Sequence, residues 1–82
     1  MKEEELYLQN AILANIYAEL NKQNITLAEL CEFLLKNSLM KKSRIDNILH
    51  GTNKRIITLQ EIGYIAYALN LDNPGYLLKN IK

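Results

Sequence analysis

Apolar residues recur at helical spacing along most of the chain, and no stretch alternates as a strand would. With one proline and three glycines, this pattern predicts a compact all-α fold of five helices. The first helix is expected from about Glu4 to Gln23 and the second from Thr26 to about Ser38. The third should span about Lys41 to His50, the fourth Thr58 to about Asn70, and a fifth should begin near Pro74.

Two capping boxes mark the starts of the second and fourth helices. Thr26 is followed three residues later by Glu29, and Thr58 by Glu61. In such a box the hydroxyl accepts from a free amide and the carboxylate reaches back to the cap residue. Gly51 is expected to end the third helix, because glycine adopts a positive φ at little cost.

The starts of the third and fifth helices have weaker signals. Asp72-Asn73-Pro74 predicts the start of the fifth helix, since proline is tolerated in a first turn. Ser43 and Asp46 also have capping spacing, which would start the third helix later than Lys41.

The apolar stripes of these helices are expected to meet in a single core. Leu6 and Tyr17 extend the stripe of the first helix, and Cys31 should be a small buried residue. The predicted core contains Leu13, Ile16, Leu20, Leu30, Cys31, Leu34, Ile45, Ile48, Ile62, Ile65, Ala66 and Leu69.

Composition favours one globular domain. The chain has 82 residues, of which 49% are hydrophobic and 23% charged. No apolar run approaches the roughly 18–20 residues of a membrane span, and the acidic start Met-Lys-Glu-Glu-Glu lacks the apolar segment of a secretory signal. A cytoplasmic location is therefore expected. The one cysteine excludes an internal disulfide.

The charge is unevenly distributed. Residues 1–35 sum to −4, whereas residues 36–55 carry six cations and one acid and sum to +5. A basic patch on a nearly neutral small protein is typical of a nucleic-acid-binding domain. The alternative is an ordinary solvated face.

Enzymatic chemistry is not expected. One histidine and one cysteine, His50 and Cys31, do not make a metal site. No nucleophile, base and orienting group occur at a recognisable spacing. The sequence therefore predicts no catalytic residue, no metal, no other cofactor and no membrane partner.

Three segments carry a resemblance to a known family. They are Thr26-Leu27-Ala28-Glu29-Leu30-Cys31, Ile45-Asp46-Asn47-Ile48-Leu49-His50-Gly51, and Thr58-Leu59-Gln60-Glu61-Ile62 continued by Ile65-Ala66-Tyr67-Ala68-Leu69-Asn70-Leu71. They resemble helix two, the end of the recognition helix and helix four of the Cro/repressor (lambda-repressor-like, XRE) helix-turn-helix family. The resemblance covers about four-fifths of the chain and implies a compact five-helix DNA-binding domain.

The chain departs from that family in three places. Between Cys31 and Gly51 it has about four additional residues, which predicts a lengthened turn between helices two and three. The loop from Gly51 to Thr58 is longer by about two. Leu27 stands where the family often has a phosphate-contacting glutamine.

The resemblance also implies which side chains contact DNA. Residues on the third helix would read base edges, whereas those flanking it would hold phosphates. The implied base contacts are Lys42, Ser43, Arg44 and Asn47. The implied phosphate contacts are Lys41, Thr52, Asn53, Lys54 and Arg55.

Two functions of different kinds follow. The first is a sequence-specific transcriptional regulator of repressor type, which acts as a homodimer on double-stranded DNA. The second is a protein-binding module on the same fold, an antirepressor or accessory partner that does not bind DNA. The expected dimer interface is Tyr76, Leu77, Leu78 and Ile81; alternatively, these residues close the core against the first helix.

Overall fold

Four α-helices make up the fold in the computed structural model, which describes residues 3–52 and 55–79. In chain order they are α1 (Glu3–Gln23), α2 (Leu27–Asn37), α3 (Lys42–Leu49) and α4 (Leu59–Ala68), followed by a 3₁₀ turn at Pro74–Leu78. The described residues contain no strand. The predicted all-α class is confirmed.

Both predicted capping boxes form. The Thr26 hydroxyl accepts from the Glu29 amide at 3.1 Å, and the Glu29 carboxylate accepts from the Thr26 amide at 3.0 Å. The corresponding distances between Thr58 and Glu61 are 3.1 and 2.9 Å. Each box satisfies two backbone donors at a helix start, and these short sequence signals therefore fix where α2 and α4 begin.

The start of α3 differs from the sequence expectation. The helix begins at Lys42 without a side-chain cap, so the capping pair of Ser43 and Asp46 does not form. Gly51 ends the helical segment at φ +73°, as predicted. A Cβ on Gly51 would lie 3.3 Å from Cδ2 of Leu13, so glycine suits both the backbone conformation and the available space.

The connector between α2 and α3 spans only residues 38–41. A helix-turn-helix unit commonly has a turn of three to four residues, so the expectation of a lengthened turn is wrong. The α2 helix itself runs for 11 residues to Asn37. The hydroxyl of Ser38 donates to the Leu34 carbonyl at 2.6 Å and ends the helix.

The expected fifth helix is only a five-residue 3₁₀ turn. Its start is capped by Asn73, whose side chain accepts from the Gly75 amide at 2.8 Å. Few backbone bonds can form in so short a segment, and burial of Leu77 holds it in place.

One apolar core joins all four helices and the 3₁₀ turn. Leu13 and Cys31, which were expected inside it, are only half-buried. Leu13 is not among the core side chains, and Cys31 packs at the edge of the core. The core consists of Ile12, Ile16, Leu20, Leu30, Leu34, Ile45, Ile48, Leu49, Ile57, Ile62, Ile65, Ala66, Leu69 and Leu77.

The buried face of α1 is rotated from the one that its sequence predicts. Leu6 and Tyr17 are exposed, whereas Gln9 is buried. The side-chain Oε1 of Gln9 accepts from the backbone amide of Ile57 at 3.1 Å. This contact pairs a backbone donor just before α4 that would otherwise be buried without a partner.

The C-terminal segment is bound along α1. The side-chain Nδ2 of Asn15 donates to the backbone carbonyls of Leu77 and Lys79, both at 2.9 Å. Glu19, which is buried, lies 3.7 Å from the Lys79 ammonium. These contacts join residues 60 to 64 positions apart in sequence and close the core at α1.

Candidate nucleic-acid interface

A groove of about 910 Å³ lies between α3 and the first half of α4. The connector before α3 and the loop after it contribute to the same groove. Six side chains expected at a DNA interface line it: Lys41, Ser43, Arg44, Asn47, Thr52 and Arg55. Asn53 and Lys54, two expected phosphate contacts, lie outside the described residues.

Ser43 and Asn47 form the solvent-facing stripe of α3, and His50 continues it at the residue that follows the helix; all three are exposed. The Thr52 hydroxyl donates to Oδ1 of Asn47 at 3.1 Å, and the Thr52 amide donates to the Asn47 carbonyl at 2.9 Å. Thr52 therefore holds the Asn47 side chain in one orientation. That orientation leaves the donor end of the amide available to a ligand.

Lys42 does not line the groove. Its side chain is 72% exposed and forms an ion pair with Asp46 at 3.0 Å. Both charges act on Cys31 of α2, whose thiol pKa is raised mainly by burial and further by Asp46. Lys42 thus lies on the side of α3 that faces α2, whereas Ser43 and Asn47 lie on the groove side.

Arg44 is the main correction to the expected base contacts. Its Nε lies 2.7 Å from Oε2 of Glu61, and a terminal nitrogen lies 2.8 Å from Oε1. The same nitrogen donates to the Ile56 carbonyl at 3.2 Å. The two paired side chains are only 12% and 10% exposed. Arg44 therefore joins α3 to α4, with its Nε and one terminal nitrogen engaged by Glu61 and the Ile56 carbonyl.

Glu61 combines two tasks at the start of α4. It completes the capping box with Thr58 and receives the two-pronged contact from Arg44. The hydrogen bonds from Arg44 outweigh burial and, with Thr58, lower the pKa of Glu61 from 4.5 to about 2. A guanidinium nitrogen of Arg55 lies 4.0 Å from the same carboxylate. Glu61 is thus ionised at neutral pH.

Acid is expected to destabilise the fold through Glu61. Its pKa is lower in the folded chain than in the unfolded chain, so its contribution is complete above about pH 4.5 and is lost towards pH 2. The loss should be about 3 kcal/mol in the free energy of unfolding. Glu29 adds a smaller effect in the same direction, because Thr26 lowers its pKa.

Urea unfolding between pH 2 and pH 6 measures this dependence. Glu61→Gln should remove most of it, whereas Glu29→Gln should remove little. An unchanged pH profile in Glu61→Gln would contradict the assignment.

The groove has a mixed surface. Lys41, Arg44 and Arg55 supply three positive charges against the one carboxylate of Glu61. Leu39, which is 86% exposed, and the half-buried Tyr64 add apolar surface. Such a surface suits an anionic ligand that also offers flat or apolar groups.

The sequence prediction missed the α4 side of this groove. Gln60 and Tyr64 lie one turn apart on α4 and line it, with Nε2 of Gln60 donating to the Tyr64 hydroxyl at 3.2 Å. Their spacing of four residues, on the side of α4 away from Ile62 and Leu69, was the available signal.

The expected dimer residues are only partly available. Leu77 is fully buried in the core, so it is not an interface residue; it closes the core against α1, the alternative that the sequence left open. Tyr76 is 52% exposed and Leu78 is half-buried. Ile81 lies outside the described residues.

Comparison of the chain with known protein families, curated proteins and solved structures finds no match. The resemblance to the Cro/repressor family therefore stays a prediction from the residues themselves. Within residues 3–52 and 55–79, no helix is long and apolar enough to cross a membrane. In the same ranges, no group of three or more histidine, cysteine, aspartate or glutamate side chains is placed to hold a metal ion.

Proposed function

We propose that this protein is a DNA-binding transcriptional regulator of helix-turn-helix, repressor type, with α3 as its reading helix. One observation carries the proposal: a single groove is lined by Lys41, Ser43, Asn47, Thr52 and Arg55, although they come from three different segments. Helix-turn-helix proteins place polar side chains of the second helix of the motif, here α3, at base edges. Cations that flank this helix contact phosphates.

Each residue has a defined role in this proposal. The α3 helix has 8 residues, and an α-helix with its side chains is about 10–12 Å in diameter, which fits the roughly 12 Å width of the DNA major groove. Thr52 donates to Oδ1 of Asn47, which leaves the Nδ2 donor for adenine N7 and the second lone pair of Oδ1 for adenine N6. Ser43 lies one turn earlier on α3. Lys41 and Arg55 flank the helix and contact phosphates. Arg44 is a positioning residue that fixes α3 against α4.

Titration against DNA tests this assignment. A site is first selected from random double-stranded oligonucleotides, and binding to it and to a scrambled duplex is then measured at several salt concentrations. Asn47→Ala is expected to weaken binding to the selected site by about 1–3 kcal/mol and to affect the scrambled duplex little. Arg55→Ala should weaken both duplexes similarly and reduce the salt slope by about 1.

A charge-matched control is Lys36→Ala, since Lys36 is exposed on α2 and does not line the groove. It should leave the affinity for both duplexes and the salt slope close to those of the wild type. Equal losses on both duplexes for Asn47→Ala would exclude it as a reading residue. If the wild-type protein binds neither duplex at low salt, DNA binding is excluded.

The second candidate is a protein-binding module on the same fold, an antirepressor or accessory partner. The observation that favours it is the apolar part of the groove, where Leu39 is almost fully exposed beside Tyr64. A groove of this kind suits a peptide with an acidic and an apolar residue. The DNA titration separates the two candidates, because only the first requires retention of duplex at low salt.

A further inference from the structure

The outward face of α1 carries no charge for about four helical turns, from residue 6 to residue 21. Glu19, the only ionisable acid or base in that interval, points inwards and is 5% exposed. Leu6, Tyr7 and Tyr17 are 48%, 57% and 42% exposed. The exposed residues of this face are Leu6, Tyr7, Asn10, Ala14, Tyr17, Ala18 and Asn21.

This composition is unusual for a solvent-facing helix. Surface helices normally present charged residues on the outer face, as α2 does with Glu29, Glu32 and Lys36. Depletion of charge together with tyrosine and apolar residues is characteristic of the centre of a protein–protein interface. The fold does not use these side chains in its own core.

The ends of the same face carry opposite charges. Glu3 and Glu4 are exposed in the first turn of α1, and Lys22 is exposed in the last. In the part of the chain that the structure describes, none of the three forms an ion pair. An antiparallel copy of α1 would place each acidic end beside the Lys22 end of the other copy. The opposed helix dipoles would favour the same arrangement.

We infer that the outward face of α1 is a homodimer surface, on which a second copy of this chain packs with its α1 antiparallel. A two-fold interface matches one patch to itself, and this face is self-complementary because its neutral centre lies between an acidic and a basic end. Ala14 and Ala18 lie on this face and allow the two backbones to approach closely. The acidic first turn disfavours an anionic lipid surface as the occupant.

A second apolar surface on α4 is less informative about its occupant. Leu59 and Tyr67 are 73% and 70% exposed, but the Tyr67 ring already packs beside Phe33 with centroids 6.0 Å apart. No opposed pair of charges at its ends specifies a second copy there, so the proposal is confined to α1.

The inference does not depend on DNA binding, although it bears on it. The Tyr17 hydroxyl donates to the Leu49 carbonyl at the end of α3, so this end of α3 lies beside the proposed surface. A dimer through α1 would bring the C-terminal ends of the two α3 helices towards the two-fold axis. Such a pair can address two half-sites on one DNA duplex.

Sedimentation equilibrium of the full chain without DNA tests the inference. The wild type should be dimeric in the micromolar range, and Ala14→Glu should raise the dimer dissociation constant at least about tenfold, because two like charges meet at the centre of the interface. Ala28→Glu is the matched control, an identical change at an exposed alanine of α2. Far-ultraviolet circular dichroism should show both variants folded.

Charge reversal tests the antiparallel arrangement. Lys22→Glu and the double variant Glu3→Lys, Glu4→Lys should each dimerise less well than the wild type, and an equimolar mixture of the two should recover dimers. A wild type that stays monomeric at high micromolar concentration would overturn the inference. So would equal effects of Ala14→Glu and Ala28→Glu. Loss of DNA binding alone would bear on the proposed function and not on this surface.

Discussion

Replacement of Arg44 with alanine is expected to lower the free energy of unfolding by about 3 kcal/mol, although the residue lies in a groove. The reason is the Glu61 carboxylate, which would lose both short contacts while only 10% of its side chain is exposed. An ionised group buried without its partner costs more than the pair itself contributes. Urea unfolding at pH 7 measures the change.

The Lys42–Asp46 pair provides a control within the same helix. Its nitrogen–oxygen distance is 3.0 Å, close to that of the Arg44 pair, but the Lys42 side chain is 72% exposed. Lys42→Ala should therefore cost no more than about 0.5 kcal/mol. Similar losses for the two variants would mean that burial does not decide the strength of the Arg44 contact.

The contact between Arg44 and Glu61 also changes what DNA titration of Arg44→Ala should show. A side chain that reads a base affects the selected duplex alone, whereas a positioning residue affects every duplex through the placement of α3. Arg44→Ala and Glu61→Gln should therefore weaken selected and scrambled duplexes alike, at temperatures where both variants remain folded. If Arg44→Ala relaxes the base preference and Glu61→Gln does not, Arg44 contacts bases directly.

The second large effect is expected at Leu77. Leu77→Ala should lower the free energy of unfolding by about 3 kcal/mol, because a fully buried leucine side chain is lost and a cavity remains. For a domain of this size, the midpoint of thermal unfolding should fall by more than about 10 °C. Thermal and urea unfolding both measure this change.

Tyr76→Ala serves as the control, since Tyr76 is the preceding residue and is 52% exposed. It should cost less than about 1 kcal/mol. A Leu77→Ala variant with wild-type stability but altered self-association would restore the C-terminal segment as a dimer surface.

Features that depend on short sequence spacing were predictable. The capping boxes at Thr26 and Thr58 need only residues three positions apart, and both form as expected. The apolar stripe of α4 was equally clear, because Ile62, Ile65 and Ala66 recur at helical spacing and all three are buried. Gly51 was predictable because few residues other than glycine tolerate a positive φ.

Features that depend on a distant partner were not predictable in the same way. Arg44 looks like an exposed cation in sequence, and its inward position depends on Glu61, 17 residues later. One signal was available: Arg44 lies one turn before Ile48 and next to Ile45, at the edge of the buried face. The sequence did not indicate Glu61 as the partner of Arg44, because the capping box of α4 already explained that carboxylate.

The orientation of α1 shows the same limit. Apolar residues occur on several sides of this helix, so periodicity alone did not distinguish Ile12 from Leu13 as the core residue. The choice is made by polar contacts, since Gln9 reaches Ile57 and Asn15 reaches the C-terminal segment. The 3₁₀ turn was mistaken for a helix because Asn73-Pro74 starts both structures equally well.

The contact between Asn15 and the carbonyls of Leu77 and Lys79 has a consequence for synthesis of the chain. Protein chains emerge from the ribosome N-terminus first. The α1 helix is therefore made first but completes its packing only after residue 79 has left the ribosome. Until then the part of α1 that the 3₁₀ turn covers is open to other nascent or free chains. Because its final partners are the most distant in sequence, α1 is the element whose docking should limit folding during translation.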